Sequence, residues 1–211
     1  MQSIKWHMVL DKNSNVSSVD FWDNCYRNND TGWDLGSPTP IFINWCNQIK
    51  LKSKICVPGC GNGYDVLYFA QKGHDVTAID FAKKPIARLK KESEQHDLRV
   101  NLIQKDIFNL PINFKNKFDY IVEYTCYCAI SPNMRVKYID TMYDLLKPGG
   151  ELIGIFLPID KDLDEGGPPF GITLDKTIEL FLNKFQLIES IKHPLSISPR
   201  SDKEQFIRFS K

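Results

Sequence analysis

Charge of one sign is in short supply: 27 lysines and arginines stand against 26 aspartates and glutamates, a formal net charge of +1. No whole-chain field draws the protein to nucleic acid or to an acidic membrane, which disfavours a generic polyanion binder. Long apolar runs are missing as well. The stretch 152–158 falls far short of the roughly 18 residues that a membrane helix needs, and residues 1–10 have no signal-like apolar core. A cytoplasmic protein is the expectation. Six cysteines, at 25, 46, 56, 60, 126 and 128, include no C-x-x-C pair, so free thiols are expected and neither disulfide staples nor a structural metal site. Also absent are internal repeats, low-complexity tracts, an H-E-x-x-H segment and a Ser/His/Asp arrangement, which removes the common metallopeptidase and acyl-transfer signatures.

What is present is ordinary globular material: 42% hydrophobic and 25% charged residues in 211, enough for one domain with a large core. A polar stretch at 11–18 and an acidic Gly/Pro segment at 160–171 stand apart, the second suiting a mobile lid. Between them strands and helices alternate. Residues 54–57 form a short apolar run ending in Pro58-Gly59. Residues 64–73 follow as a helix, with Val66, Leu67, Phe69 and Ala70 on one face and Gly73 as its stop. Next come a strand at 75–79 and a helix at 83–96 whose Ile86 and Leu89 face inward and whose charges form a solvated face. Strands at 99–104 and 118–123 precede a helix at 132–146, with Ser131 as N-cap and Val136, Ile139, Met142 and Leu146 as its inner stripe. Pro148-Gly149-Gly150 ends that helix and 151–157 makes a fifth strand. A helix at 174–184 leads into alternating strands at 185–191 and 204–209, an antiparallel pair. Strands separated by helices give an α/β fold with a mostly parallel sheet covered on both faces.

The most informative segment is Val57-Pro58-Gly59-Cys60-Gly61-Asn62-Gly63, between a strand and a helix. Gly59, Gly61 and Gly63 let the backbone pass close to a ligand, so a nucleoside can lie over the strand tip at the switch point of an open sheet. Asp80 ends the second strand, 17 positions after Gly63, where a carboxylate can accept both hydroxyls of an unphosphorylated ribose. The loop reads G-x-G-x-G and lacks the G-x-G-x-x-G spacing that aims a helix N-terminus at a pyrophosphate, so S-adenosylmethionine fits better than NAD. The bland alternative is a tight turn with Asp80 capping the next helix. Asp106, just after the third strand, is placed to accept from an adenine amino group, with Ile107 beside the ring. Trp22, Tyr26 and Trp33 lie outside the alternating region, where a core does not need them. Indole and phenol faces attract a sulfonium cation by about 0.5 to 2 kcal/mol while excluding water, so they suit a lid over the cofactor.

Taken together, Phe21-Trp22-Asp23, Thr31-Gly32-Trp33-Asp34-Leu35-Gly36, Val57-Pro58-Gly59-Cys60-Gly61-Asn62-Gly63-Tyr64-Asp65-Val66, Tyr124-Thr125-Cys126-Tyr127-Cys128-Ala129-Ile130, Leu146-Lys147-Pro148-Gly149-Gly150-Glu151-Leu152-Ile153 and Gly166-Gly167-Pro168-Pro169-Phe170 resemble the thiopurine S-methyltransferase superfamily, closest to its halide and thiol methyltransferase branch. The resemblance covers nearly the whole chain after residue 20. It implies a class I, Rossmann-like sheet of seven strands in one domain, with 1–50 as a cofactor-covering arm. It also implies transfer of a methyl group from S-adenosyl-L-methionine, leaving S-adenosyl-L-homocysteine, to a small thiol, hydrosulfide or halide; a monomer is the separate expectation. The family's cofactor contacts fall on Trp22, Tyr26, Trp33, Gly59, Asp80, Asp106, Ile107 and Tyr124. Members often carry tryptophan in place of Tyr26, aspartate in place of Glu123, and phenylalanines in place of Cys126 and Tyr127.

Soft nucleophiles need little base catalysis, so positioning carries the rate, and Tyr124 is the residue expected to orient the nucleophile at the methyl. No N-P-P-Y or D-P-P-Y segment of the amino-directed kind is present. Cys126 and Cys128, without an accompanying base, are expected to line the pocket, His74 and His193 to be structural, and Arg200 to sit at the surface or bind an anion at the pocket rim. Competing functions are methylation of aromatic or heterocyclic thiols, a noncatalytic S-adenosylmethionine-binding module, and an NAD-linked oxidoreductase.

Overall fold

The computed structural model describes residues 15–211. Half of the polar stretch 11–18, and all of 1–10, lie outside them. Five parallel strands, β1 (Lys54–Pro58), β2 (Asp75–Asp80), β3 (Val100–Gln104), β4 (Phe118–Tyr124) and β5 (Leu146–Phe156), are joined by crossovers. Two further strands, β6 (Gln186–Ile191) and β7 (Gln205–Ser210), complete a seven-stranded sheet in the order β3-β2-β1-β4-β5-β7-β6. β7 runs antiparallel to both β5 and β6. β1 pairs in parallel with β2 on one side and β4 on the other, so the chain reverses its direction of travel across the sheet at β1. Such a reversal opens a crevice beyond the carboxyl ends of the two strands.

Helices cover both faces because the strands are apolar on both. On one side α2 (Pro40–Cys46), α3 (Tyr64–Gln71) and α4 (Lys83–Gln95) bury Phe42, Phe69 and Leu89 against Ile55, Ile153 and Phe206. On the other, α5 (Arg135–Leu145) and α6 (Leu174–Leu182) bury Tyr138, Met142 and Phe181 against Ile121, Phe156 and Phe209, with Phe181 and Phe209 stacked at 4.5 Å. The arm docks through Asp65, whose carboxylate accepts from the amide of Thr39 at 2.7 Å and from its hydroxyl at 2.9 Å. His74 is buried, with Nδ1 accepting from the amide of Ser53, and His193 packs edge-on to Phe206.

Two local expectations are corrected. The helix at 132–146 begins instead as a 3-10 turn, Pro132–Met134, and Ser131 makes no side-chain cap; α5 proper starts at Arg135. Ile139 and Met142 are buried as expected, joined by Arg135, Tyr138 and Leu145, whereas Val136 is 56% exposed and Leu146 belongs to β5. Pro148-Gly149-Gly150 does not precede the fifth strand but kinks it: β5 begins at Leu146 opposite Phe118, and the register shifts before Tyr120. The segment 160–171 is held at its far end, where Arg135 Nη2 donates to the carbonyl of Gly171 at 2.9 Å and the Phe170 amide donates to that of Cys128 at 2.7 Å. Among the described residues no helix is long and apolar enough to cross a membrane.

Candidate active site

At the switch point the β1–α3 loop turns sharply back over β2. The Cys60 amide donates to the carbonyl of Ile79 at 3.0 Å, and the Gly61 amide to Oδ2 of Asp80 at 3.0 Å. Asp80 Oδ1 accepts from the amide of Ala82 at 2.9 Å, so the carboxylate at the strand tip is held from both sides. It nevertheless faces a cavity, together with Trp22, Tyr26, Trp33, Gly59, Asp106 and Ile107. Seven of the ten residues singled out in the sequence as cofactor contacts therefore line one space. Asp106 caps its own turn, accepting from the amide of Phe108 at 2.9 Å, and Ile107 is buried beside it.

Trp22, Tyr26 and Trp33 form an edge-to-face group, with Trp33 5.5 Å from Trp22 and 5.6 Å from Tyr26. Such contacts contribute about 0.5–1.5 kcal/mol each beyond burial. The group is fixed to the body by Lys84, which donates to the carbonyl of Tyr26, by Asp23, which accepts from the amide of Lys83, and by an Asn62–Asp34 hydrogen bond. The helix that carries Trp22 and Tyr26, α1 (Val19–Asn28), thus rests on the N-terminus of α4.

Gly61, Gly63 and Tyr124 are not among the lining residues. Gly61 serves through its amide, and Gly63 through packing: a Cβ there would lie 2.6 Å from Leu89 Cδ1. Tyr124 differs most from expectation. Strand alternation turns its ring to the α2 side, edge-on to Phe42 at 5.8 Å, and its hydroxyl accepts from Arg200. Burial pushes this phenol well up. Arg200, expected at the surface or rim, is 3% exposed and also donates to the carbonyl of Trp33 at 2.9 Å. It ties the tip of β4 to the aromatic group from a loop 76 positions later in the chain.

The rest of the cavity is built by residues after β4 and by the 160–171 segment: Thr125, Cys126, Cys128, Ala129, Pro168 and Pro169. Thr125 and Ala129 fall in the run 124–130 that carried the resemblance but had no role assigned, and Met134 and Lys137 carried no sequence signal. Burial raises both thiols, Cys128 to about 12, so they form an inert wall and not a nucleophile pair. Among the described residues no cluster of three or more His, Cys, Asp or Glu could hold a metal ion.

Burial also pushes Asp80 up to about 6, against the lowering effect of the amides of Ala82, Gly61 and Phe81. A ribose diol donates to the ionised form. Nucleoside affinity is therefore expected to be constant above about pH 6 and to weaken towards tenfold per unit below it, because the free protein must then lose a proton to bind. Titration calorimetry with S-adenosylhomocysteine from pH 5 to 8 reads this directly; a flat profile removes Asp80 from the contact.

Comparison with known proteins agrees with this geometry. The family model for thiopurine S-methyltransferase matches residues 17–207. The chain is 32% identical over 210 residues to a probable thiol methyltransferase 2 of Arabidopsis thaliana, covering 98% of this chain and 89% of that one. It is 30% identical over 194 residues to thiocyanate methyltransferase 1 of Brassica oleracea, covering 90% and 84%. It is 25% identical over 182 residues to a thiopurine S-methyltransferase of Vibrio atlanticus (strain LGP32), covering 79% and 82%. Among solved structures, the 1,6-didemethyltoxoflavin-N1-methyltransferase of Burkholderia thailandensis, with bound 1,6-didemethyltoxoflavin and S-adenosylhomocysteine, superposes with a TM-score of 0.75 at 18% identity, covering 92% of this chain and 86% of that one. That likeness is one of fold. With the family model spanning nearly all the described residues, the chain belongs to the thiopurine S-methyltransferase family.

Proposed function

We propose that this protein transfers a methyl group from S-adenosylmethionine to a small soft nucleophile, a thiol, hydrosulfide or halide. One observation carries this: a single cavity at the switch point joins a buried carboxylate, an aromatic group and a wall of small side chains. When bound, S-adenosylmethionine supplies a methyl activated on a sulfonium cation. Asp80 would take the ribose hydroxyls and Asp106 the adenine amino group. The faces of Trp22, Tyr26 and Trp33 suit the cation and keep water away. Their fit is supported by the orientation of Asp80 into the cavity and by the close pass of the backbone at Gly59, where a Cβ would lie 2.8 Å from Cys126 Sγ.

On this reading Asp80 and Asp106 are taken up by the nucleoside, and the wall of Cys126, Cys128 and Ala129 offers no general base. The acceptor must therefore arrive as an anion, which Lys137 of the cavity lining favours electrostatically. A thiol of pKa near 8.5 is partly thiolate at neutral pH, and iodide needs no deprotonation. S-adenosylhomocysteine formation should accordingly rise with pH for alkyl thiols between pH 7.5 and 9 and stay level for iodide. A pH rise with iodide as steep as with methanethiol would instead trace the pH dependence to a titrating group of the protein and not to ionisation of the acceptor. Apolar Ile130, Met134, Pro168 and Pro169 favour a second reading, an aromatic or heterocyclic thiol, which thiophenol tests in the same assay.

Tyr124 enters this proposal as a residue that orients the site through Arg200 and Trp33. Tyr124→Phe is expected to lower turnover about tenfold and to change the dissociation constant of S-adenosylhomocysteine less than threefold, since one hydrogen bond to a charged group is worth roughly 1.5–3 kcal/mol. Unchanged turnover with every acceptor would remove Tyr124 from the mechanism.

A further inference from the structure

Beneath the turn that follows β4 lies a buried carboxyl that the proposed reaction does not use. Glu123 is 1% exposed, and alternation along β4 points it to the α5 face, opposite to Tyr124. Its Oε1 accepts from the amide of Tyr127 at 2.8 Å, and Oε2 accepts from the hydroxyl of Tyr138 on α5. The amide of Cys126 is a further donor to it. One side chain thus grips two successive amides of the turn from below.

The turn needs that grip. Thr125 sits at φ +63°, a region that a β-branched residue enters only with strain and holds only where its surroundings impose it. Past it, the carbonyl of Cys126 accepts from the amides of Ala129 at 3.0 Å and Ile130 at 3.2 Å, so displacement of Cys126 moves the start of the next segment too. On its outer side the same turn presents Thr125, Cys126, Cys128 and Ala129 to the cavity.

We propose that Glu123 is the positioning residue of the acceptor side of the cavity, and that its protonation switches the 125–128 turn between a tightly held and a loosely held setting. The proposal rests on the methyl-transfer reading above for what the wall does, though not for the switch itself. Titratable groups facing Glu123 are Tyr138 from α5 and Cys126, Tyr127 and Cys128 from the turn, with Cys56 of β1 beside Tyr138. From β5 the neighbour is Gly154, which carries no charge. Two cations lie near the turn: Arg135, over the Tyr127 ring at 4.8 Å and donating to Gly171, and Arg200, which acts on Cys128 and donates to Tyr124 on the opposite face of β4. Burial outweighs the donors and pushes the carboxyl up to about 7, so both forms are populated near neutrality.

The two forms bond differently. Ionised, both oxygens accept, and such charge-assisted hydrogen bonds are roughly twice as strong as neutral ones. Protonated, one oxygen still accepts from Tyr127, but the acid O–H must donate to Tyr138, whose hydroxyl then reverses. Glu123→Gln copies this neutral arrangement at every pH, its carbonyl facing Tyr127 and its NH2 facing Tyr138.

The test compares wild type, Glu123→Gln and Tyr138→Phe between pH 6.5 and 8.5 by hydrogen exchange of residues 124–130, corrected for intrinsic rates, and by kinetics with iodide. In the wild type, exchange of the turn should slow several-fold as pH rises. In Glu123→Gln it should be fast throughout, with KM for iodide raised about five- to tenfold at pH 8.5 and S-adenosylhomocysteine affinity within twofold. Asp80 titrates alike in all three and cancels in the comparison. Tyr138→Phe keeps the carboxyl, removes one donor to its charge, and should move the transition to higher pH; it decides the matter if Glu123→Gln does not fold. Wild-type exchange that ignores pH, or variants that match wild type in both readouts, would overturn the proposal. A pH-dependent turn without iodide or thiol turnover would overturn the function proposed above and leave the switch standing.

Discussion

Asp80→Asn is expected to raise the dissociation constant of S-adenosylhomocysteine about 100-fold at pH 7.5. The side chain keeps its shape but loses its charge, and with it two charge-assisted hydrogen bonds from the ribose, worth roughly 1.5–3 kcal/mol each before asparagine recovers part of them. Stability should change little, for reasons of sign. Burial raises the pKa of this carboxyl in the fold, so its ionised form opposes folding at pH 7.5, and that penalty lifts only as pH falls through about 6. Removing the charge removes the penalty, while the amides of Gly61 and Ala82 lose their charged acceptor. Calorimetry with a thermal melt separates the two effects. A variant that binds normally, or that loses binding only because it unfolds, would contradict the assignment.

Gly59→Ala should have a comparable effect by a different route. Gly59 sits at φ +58°, and a Cβ there would lie 2.8 Å from Cys126 Sγ and 2.9 Å from Cys126 Cβ, contacts that real side chains do not make. The backbone alone costs roughly 1–2 kcal/mol for any residue but glycine. The clash adds to that and pushes the loop and the 125–128 turn apart. Loss of measurable cofactor binding, with about 2–4 kcal/mol of stability, is the expected result. Gly73→Ala is the control: φ is +88° but nothing lies within 4 Å, so only the backbone cost applies and binding should be retained. If Gly59→Ala also retains binding, the cofactor does not approach this loop.

Much of this was legible in the sequence because it depends on short-range pattern. The strand, glycine loop and helix around 54–73, the carboxylate ending β2 and the aspartate after β3 are each set by residues within a few positions of one another. β7 lies between β5 and β6, which the pattern of an antiparallel pair does not reveal; composition does carry a trace of it. Phe206, Ile207 and Phe209 are 4% exposed or less, as an inner strand requires, whereas Leu187 and Ile188 of the edge strand are 41% and 45% exposed. What could not be read is contact across long separations. Arg200 meets Tyr124 and Trp33 only because a loop after β6 folds back over the strand tips, and no local rule places a guanidinium there. Tyr124, placed at a strand end, is turned from the cavity by strand alternation, and the Arg200 contact then holds its hydroxyl on that side. Glu123 is a related case: alternation sends it inward, but its partner Tyr138 is set by the packing of α5 and not by spacing.

The most direct test of the central claim is the product itself. The protein would be incubated with S-adenosylmethionine carrying an isotopically labelled methyl group and with methanethiol, hydrosulfide, iodide or thiophenol in separate vials, and the headspace read by gas chromatography and mass spectrometry. Labelled dimethyl sulfide, methanethiol, iodomethane or thioanisole, formed in step with S-adenosylhomocysteine, is the predicted result, and their order ranks the acceptors. No labelled product from any of the four, by a protein that still binds S-adenosylmethionine, would contradict methyl transfer to a small soft nucleophile and leave a binding module or a larger acceptor in its place.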